Sequence, residues 1–284
     1  MTISKVGILG SGIMGSGIAE VAAAAGATVI VRSRSEATAD GMIVGLEKLL
    51  AKQVERGKKT QDEADAIRSR VSATTSLEDL ADCDLIIESV VEDLGVKKAL
   101  FADLDRHVKD GAILATNTST LPVVEMAVQT SRPDRVCGLH FFNPAPSMSL
   151  VEIVRPLTAS DETITEIFEF ALACGKEPVE VKDQPGFIVN ALLFPYLNNA
   201  VRLLEQGVAT KEGIDTAMKG GCGFPMGPFA LLDLVGLDTS LAILEALYGE
   251  FGDHNFTPAP LLKRMVAAGQ LGRKSGHGFY DYRK

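Results

Sequence analysis

Cysteine, long apolar runs, positive charge and repeats are all scarce or missing in this chain, and each shortage narrows what it can be. The 4 cysteines, Cys83, Cys137, Cys174 and Cys222, stand far apart with no paired spacing. That argues against a zinc site, gives no disulfide framework and leaves buried thiols as the expectation. No uninterrupted apolar segment is long enough to span a bilayer. The stretch Met1 to Lys5 lacks the basic region and apolar run of a signal peptide. A soluble, cytoplasmic protein with no membrane partner is therefore expected. The formal net charge of -9 disfavours nonspecific binding to nucleic acid or an anionic membrane, since both need a positive surface. An anionic ligand would need a local basic patch. No repeat or low-complexity tract is present, and nothing indicates a metal.

What the chain does have is core-forming residues and well-placed glycine. Of its 284 residues 46% are hydrophobic, enough for one large or two modest domains with a substantial core. The segment Val6 to Gly17, VGILGSGIMGSG, joins a buried-strand pattern at Val6–Leu9 to the small and apolar helix pattern of Ile13–Ala25. Between them lie Gly10, Gly12 and Gly15. Gly10 suits a tight turn, Gly12 lets backbone approach a pyrophosphate, and Gly15 lets helix pack close to strand, so that free helix N–H groups face an anion. With Ile13 and Met14 these form the candidate cofactor turn, although the Met14 side chain, like that of Met218, reads as filler of core gaps. Gly26 then ends the helix before a second apolar run, Ala27–Val31, completing a strand, helix, strand unit.

Further strands are expected at Leu85–Ile87, Ala112–Ala115 and Val136–Leu139, and their alternation with crossovers implies a mostly parallel sheet. The charged segment Glu36–Arg70, with Met42, Leu46, Leu49, Leu50 and Val54 at helical spacing, reads as a helical hairpin standing off the sheet, with Gly57 near its tip. Past Pro185 and Gly186 the pattern turns helical: Phe187–Gln206, Lys211–Lys219, Gly227–Tyr248 and Pro258–Ala268. The expected architecture is α/β: a Rossmann-type doubly wound sheet in residues 1–184, carrying the hairpin, followed by an all-helical C-terminal domain in residues 185–284.

Four polar residues stand where chemistry or burial must explain them. His140 ends a strand in GLHFFNPAP; alone it reads as a core histidine, but the strand end and the following Asn143 and Pro144 favour an imidazole able to exchange a proton near neutral pH. Glu152 in LVEIV is either a solvated edge-strand charge or a buried one that needs a partner, which a histidine would supply. Ser119 in TNTST could cap a helix starting near Leu121 or Pro122. Asn190 in GFIVNALLF could be a core hydrogen-bonder. His107, His254 and His277 have no acidic or nucleophilic setting and read as surface or structural.

The glycine segment, LIIESVVED, ATNTSTL, GLHFFNPAP, LVEIV, QPGFIVNALLFP, PMGPFALLDLVGLD and LGRKSGHGFYDY occur in the order, and at about the separations, seen in the 3-hydroxyacyl-CoA dehydrogenase family. The chain resembles that family along essentially its whole length, and within it the short bacterial 3-hydroxybutyryl-CoA dehydrogenases. The resemblance implies that His140 takes the proton of the substrate 3-hydroxyl as hydride leaves C3, with Glu152 as its partner carboxylate. Ser119 and Asn190 match residues that hydrogen-bond the reacting oxygen and position the thioester, which places the site in a cleft between domains. Glu92, Lys97 and Asn143 match positions near the nicotinamide ribose and ring, and Lys274 one that reaches the cofactor from the tail. Without the resemblance, Glu92 and Lys97 read as a surface pair. Arg56 is the candidate contact for coenzyme A among Lys52, Arg56, Lys58 and Lys59, which otherwise fit a solvated face. The family also implies a homodimer through the helical domain. A non-catalytic nucleotide-binding relative, or a dehydrogenase of another hydroxy acid, is the alternative.

The chain departs from the family at one point. Where an acid commonly bonds the adenosine ribose of NAD, it reads Arg32, Ser33, Arg34. A serine flanked by arginines can accept a 2'-phosphate that an acid would repel, so NADP or NAD is expected, with NADP slightly favoured. Glu36 is the alternative acid.

Overall fold

The computed structural model describes residues 3–283. The chain divides between Gln184 and Pro185 into two compact units. The first runs β1 (Lys5–Leu9), α1 (Ile13–Ala24), β2 (Thr28–Arg32), α2 (Glu36–Glu55), α3 (Gln61–Ser69), β3 (Val71–Thr74), β4 (Leu85–Glu88), α4 (Leu94–His107), β5 (Ile113–Thr116), α5 (Val123–Ala127), β6 (Val136–Phe141), β7 (Leu150–Arg155), α6 (Asp161–Ala173) and β8 (Glu177–Lys182). One sheet holds all eight strands in the order β3-β2-β1-β4-β5-β6-β7-β8. Only the β6–β7 pairing is antiparallel. The doubly wound α/β arrangement expected from the sequence is what is found.

The order in which strands are added to the sheet reverses at the parallel neighbours β1 and β4, and ligands of such sheets sit beyond the carboxyl ends of the strands at that point. β4 and β5 are buried at every residue because helices cover both faces, which is why they read as unbroken apolar runs. Three strands were not expected as such. β3 and β8 are the two edges, with one neighbour each and few buried residues, so their sequences carry little apolar signal. β7 holds LVEIV.

The helical hairpin α2–α3 exists, with Gly57 at φ +66° between its helices, but it does not stand off the sheet. Met42, Leu46 and Leu50 of α2 and Ala64 and Ile67 of α3 are buried in one cluster with Val29 and Val31 of β2. The buried-thiol expectation also needs correction: Cys83 and Cys137 are buried and Cys174 is partly so, but Cys222 is exposed.

The second unit is helical: α7 (Val189–Glu205), α8 (Lys211–Cys222), α9 (Pro228–Val235), α10 (Leu237–Phe251) and α11 (Pro260–Ala267). The expected helix-rich segment Gly227–Tyr248 is two helices, broken at Gly236, whose φ of +103° an L side chain would rarely adopt. Phe194, Leu197, Phe229, Leu244, Leu262 and Phe279 share its core. Two buried carboxylates fasten the C-terminal segment: Asp233 accepts the Phe279 and Tyr280 amides at 2.8 Å each, and Asp215 accepts the Tyr280 hydroxyl at 2.9 Å. Among the described residues, no helix is long and apolar enough to cross a membrane.

Candidate active site

At the carboxyl end of β1, the glycine turn does what its spacing requires. Gly10 has φ +107°, and a Cβ there would overlap the Ser89 carbonyl; a Cβ on Gly15 would overlap the carbonyl of Gly10. Gly12 differs: a Cβ there meets nothing within 4 Å. Gly12 is also the N-cap of α1 and supplies no side-chain cap, so the first helical N–H groups are left for an anion. Ile13 is largely exposed beside them, whereas Met14 packs on the core.

The end of β2 offers a polar seat. Ser33 is 2% exposed, and its hydroxyl has no hydrogen-bond partner among the described residues. Arg32 donates from Nε to the Thr75 carbonyl at 3.1 Å, and Arg34 is exposed. Glu36 accepts the Thr75 hydroxyl at 2.8 Å.

His140 and Glu152 lie directly opposite each other on antiparallel β6 and β7. The imidazole Nδ1 is 2.7 Å from a Glu152 carboxylate oxygen, and both residues are buried. A carboxylate can only accept, so Nδ1 carries the proton and donates; in the neutral ring Nε2 then holds the lone pair. The ring also packs on Phe142, with centroids 4.5 Å apart. Asn117 accepts the Phe141 amide at 2.8 Å, which ties the TNTST segment to the strand bearing the histidine.

Ser119 does not cap a helix. The α5 N-terminus is capped by Asp183, which accepts the Val123 and Val124 amides at 2.9 and 2.8 Å. Ser119 instead donates its own amide to Glu92 at 3.0 Å, and Thr118 donates its hydroxyl to the same oxygen at 2.5 Å. The surface-pair reading of Glu92 and Lys97 fails as well, since Lys97 is 1% exposed. Its ammonium lies 2.8 Å from both carboxylate oxygens of Glu88 and 3.2 Å from Glu92. Burial alone would raise the pKa of Glu92, but the Lys97 charge and the Thr118 and Ser119 donors outweigh it and hold the carboxyl below its ordinary value.

A groove of about 1150 Å³ runs past the glycine turn and is lined by Gly12, Ile13 and Asn143 on one side and by Lys52, Arg56, Lys58 and Lys59 of the hairpin on another. The four basic residues therefore share a cavity with the turn, which a merely solvated face would not require. In the second unit, Asn190 is buried in the first turn of α7, and Lys274 donates to Asp238 at 2.6 Å.

The sequence model for the 3-hydroxyacyl-CoA dehydrogenase NAD binding domain matches residues 5–184, and that for the C-terminal domain of the same enzymes matches residues 186–282. The chain belongs to the 3-hydroxyacyl-CoA dehydrogenase family. A 3-hydroxybutyryl-CoA dehydrogenase of Clostridioides difficile is 50% identical over 280 residues, which is 99% of this chain and 100% of the relative. The crystal structure of FadB2 from Mycobacterium tuberculosis has a TM-score of 0.97 at 48% identity, covering 100% of both chains. That of (S)-3-hydroxybutyryl-CoA dehydrogenase PaaH1 from Ralstonia eutropha has a TM-score of 0.97 at 41% identity, again over 100% of both.

In this member of the 3-hydroxyacyl-CoA dehydrogenase family, sequence reasoning passed over Glu88, Thr116, Thr118, Asn117 and Asp183. The signal for Glu88 was present. It closes the apolar run Leu85–Ile87 and is fully buried, so the argument that demanded a partner for Glu152 demanded one here too.

Proposed function

We propose that the chain interconverts a (3S)-3-hydroxyacyl-CoA, hydroxybutyryl by preference, with the corresponding 3-oxoacyl-CoA, using a nicotinamide cofactor. The observation that carries the reading is the His140–Glu152 pair, joined at 2.7 Å on neighbouring strands. The uncapped α1 turn and the unpartnered Ser33 hydroxyl fit a dinucleotide, whose nicotinamide, when bound, supplies or accepts the hydride at C3. Nε2 of His140 takes the hydroxyl proton on oxidation and returns it on reduction, while Glu152 holds the tautomer and balances the imidazolium. Ser119 and Asn190 are assigned the hydrogen bonds to the reacting oxygen, where a donor aimed at developing charge favours the transition state. Glu92, Lys97, Asn143 and Lys274 are assigned to the cofactor side, and Arg56 to the coenzyme A phosphates.

Two finer statements belong to this reading. Ser33 with its flanking arginines admits an adenosine 2'-phosphate, so NADP(H) is accepted and slightly favoured. The second unit carries the homodimer contact, supported by exposed apolar side chains on its helices, among them Leu192, Leu203 and Leu234.

The test is His140→Gln and Glu152→Gln assayed with acetoacetyl-CoA at the reduced-nicotinamide absorbance band. General acid–base groups contribute about 10²- to 10⁴-fold, so turnover should fall by that much while reduced-cofactor binding, followed by fluorescence, stays near that of the parent. A folded His140→Gln protein with parental turnover overturns the assignment.

A further inference from the structure

Between the cofactor turn and Ser119 lies a charge cluster joined to Glu92 and Lys97, whose deepest member, Glu88, has no part in the reading above. Glu88, at the carboxyl end of β4, is 0% exposed. One of its oxygens accepts the Val90 amide at 2.6 Å and the other accepts the Thr116 hydroxyl at 2.7 Å, while the Lys97 ammonium bonds both at 2.8 Å. The same ammonium is 3.2 Å from one oxygen of Glu92. The other Glu92 oxygen receives the Ser119 amide and the Thr118 hydroxyl. Thr116 closes the circuit by accepting the Thr118 amide at 3.2 Å. The loop from Thr116 to Ser119 is thus wound around two carboxylates clamped by one lysine.

We infer that Glu88 is a positioning residue for Ser119, acting through Lys97 and Glu92. The inference rests on the reading of Ser119 as a donor to the substrate oxygen. A buried ammonium must be matched by nearby negative charge, and Glu88 supplies most of that match through two short bonds. With Glu88 in place, Lys97 makes only its longer contact with Glu92, which leaves Glu92 aligned on the Ser119 amide. Without the Glu88 charge, Glu92 becomes the ammonium's sole counter-ion and is drawn towards it. The Ser119 backbone loses its anchor. Misplacement of about an ångström at a reacting group can cost on the order of 100-fold in rate, so the effect appears in turnover more than in ligand binding.

A double-mutant cycle on the full-length protein tests this. Glu88→Gln should lower kcat about tenfold or more and change KM for acetoacetyl-CoA and Kd for the reduced cofactor by less than about threefold. It should also shift the Ser119 amide resonance. In a Lys97→Met background no ammonium remains to pull on Glu92, and Glu88→Gln should then change kcat by less than about twofold. If Glu88→Gln does not fold alone, Glu88→Asp, which keeps the charge but draws it back from the ammonium, is run through the same cycle: a smaller loss of kcat is expected in the parent background and, as before, a change of less than about twofold with Lys97→Met. Equal losses from the Glu88 substitution in both backgrounds, or an unmoved Ser119 resonance, overturn the inference. Ser119→Ala separates the two levels: parental kcat there removes the reading of Ser119 itself, whereas a large loss with no Glu88–Lys97 coupling removes only the role of Glu88.

Discussion

A single charge inside an apolar strand obliges the fold to supply a partner, and in the first unit this happens twice. Glu152 is met by His140 and Glu88 by Lys97. Ser33 is the opposite case: a buried hydroxyl at the end of β2 with nothing to bond, where an acid would be expected for NAD. Replacing it tests the cofactor assignment at the scale of one side chain. Ser33→Asp places a carboxylate where a 2'-phosphate would lie, and like charges in contact repel. The ratio of kcat/KM for NADPH over NADH, measured with acetoacetyl-CoA, should fall by about tenfold or more, equivalent to about 1.4 kcal/mol. A parent that strongly prefers NADH, or an unchanged ratio in the variant, shows that this strand end does not set cofactor choice. The reason the residue scale was only partly legible is the same throughout. His140 and Glu152 stand out by context, as polar residues among apolar strand neighbours, but the Glu88–Lys97–Glu92 contacts join residues on β4, the loop after it and α4, and spacing alone does not show which carboxylate the ammonium selects.

At the scale of elements, the glycines of the β1–α1 turn divide by what surrounds them. Gly15 touches the backbone of Gly10, and Gly10 that of Ser89, whereas Gly12 faces open space at an ordinary φ of -73°. Gly15→Ala should therefore damage the fold itself, because neither clashing partner is a flexible side chain. Gly12→Ala should leave thermal stability within about 1 kcal/mol of the parent, since a surface substitution away from contacts does little, yet weaken dinucleotide binding by crowding the approaching phosphates. Melting curves together with cofactor titration separate these outcomes: a Gly12→Ala protein that binds as the parent does would remove the turn from the binding site. This turn was legible because both of its flanks are strongly patterned. The edges of the sheet were not. In β8 only Val181 is buried, and in β3, VSAT, only Val71 is, so neither supplies the apolar run by which β1, β4 and β5 are recognised. The hairpin was recognised by its helical spacing, but period alone cannot say whether an apolar stripe meets the sheet or solvent; Met42, Leu46 and Leu50 meet the sheet.

For the whole molecule, a net charge of -9 coexists with a groove bordered by four basic side chains, so an anionic ligand meets local attraction on an otherwise repelling surface. Self-association is the other question at this scale, and the second unit frames it. Leu192 and Leu203 of α7 are 72 and 42% exposed and Ile188, at its N-cap, 42%, and their spacing puts them on one side of the helix. A twofold interface would present each of them twice. Burying one leucine contributes about 1.5 to 3 kcal/mol, so Leu192→Lys removes about 3 to 6 kcal/mol from a symmetric dimer, a weakening on the order of 10²- to 10⁴-fold. Light scattering across a dilution series should show a dimeric parent and a variant that dissociates at far higher concentration with its helical content unchanged. A parent that is monomeric throughout, or a variant that associates as tightly as the parent, takes this face out of the assembly and leaves the outward apolar residues of α7 as ordinary surface.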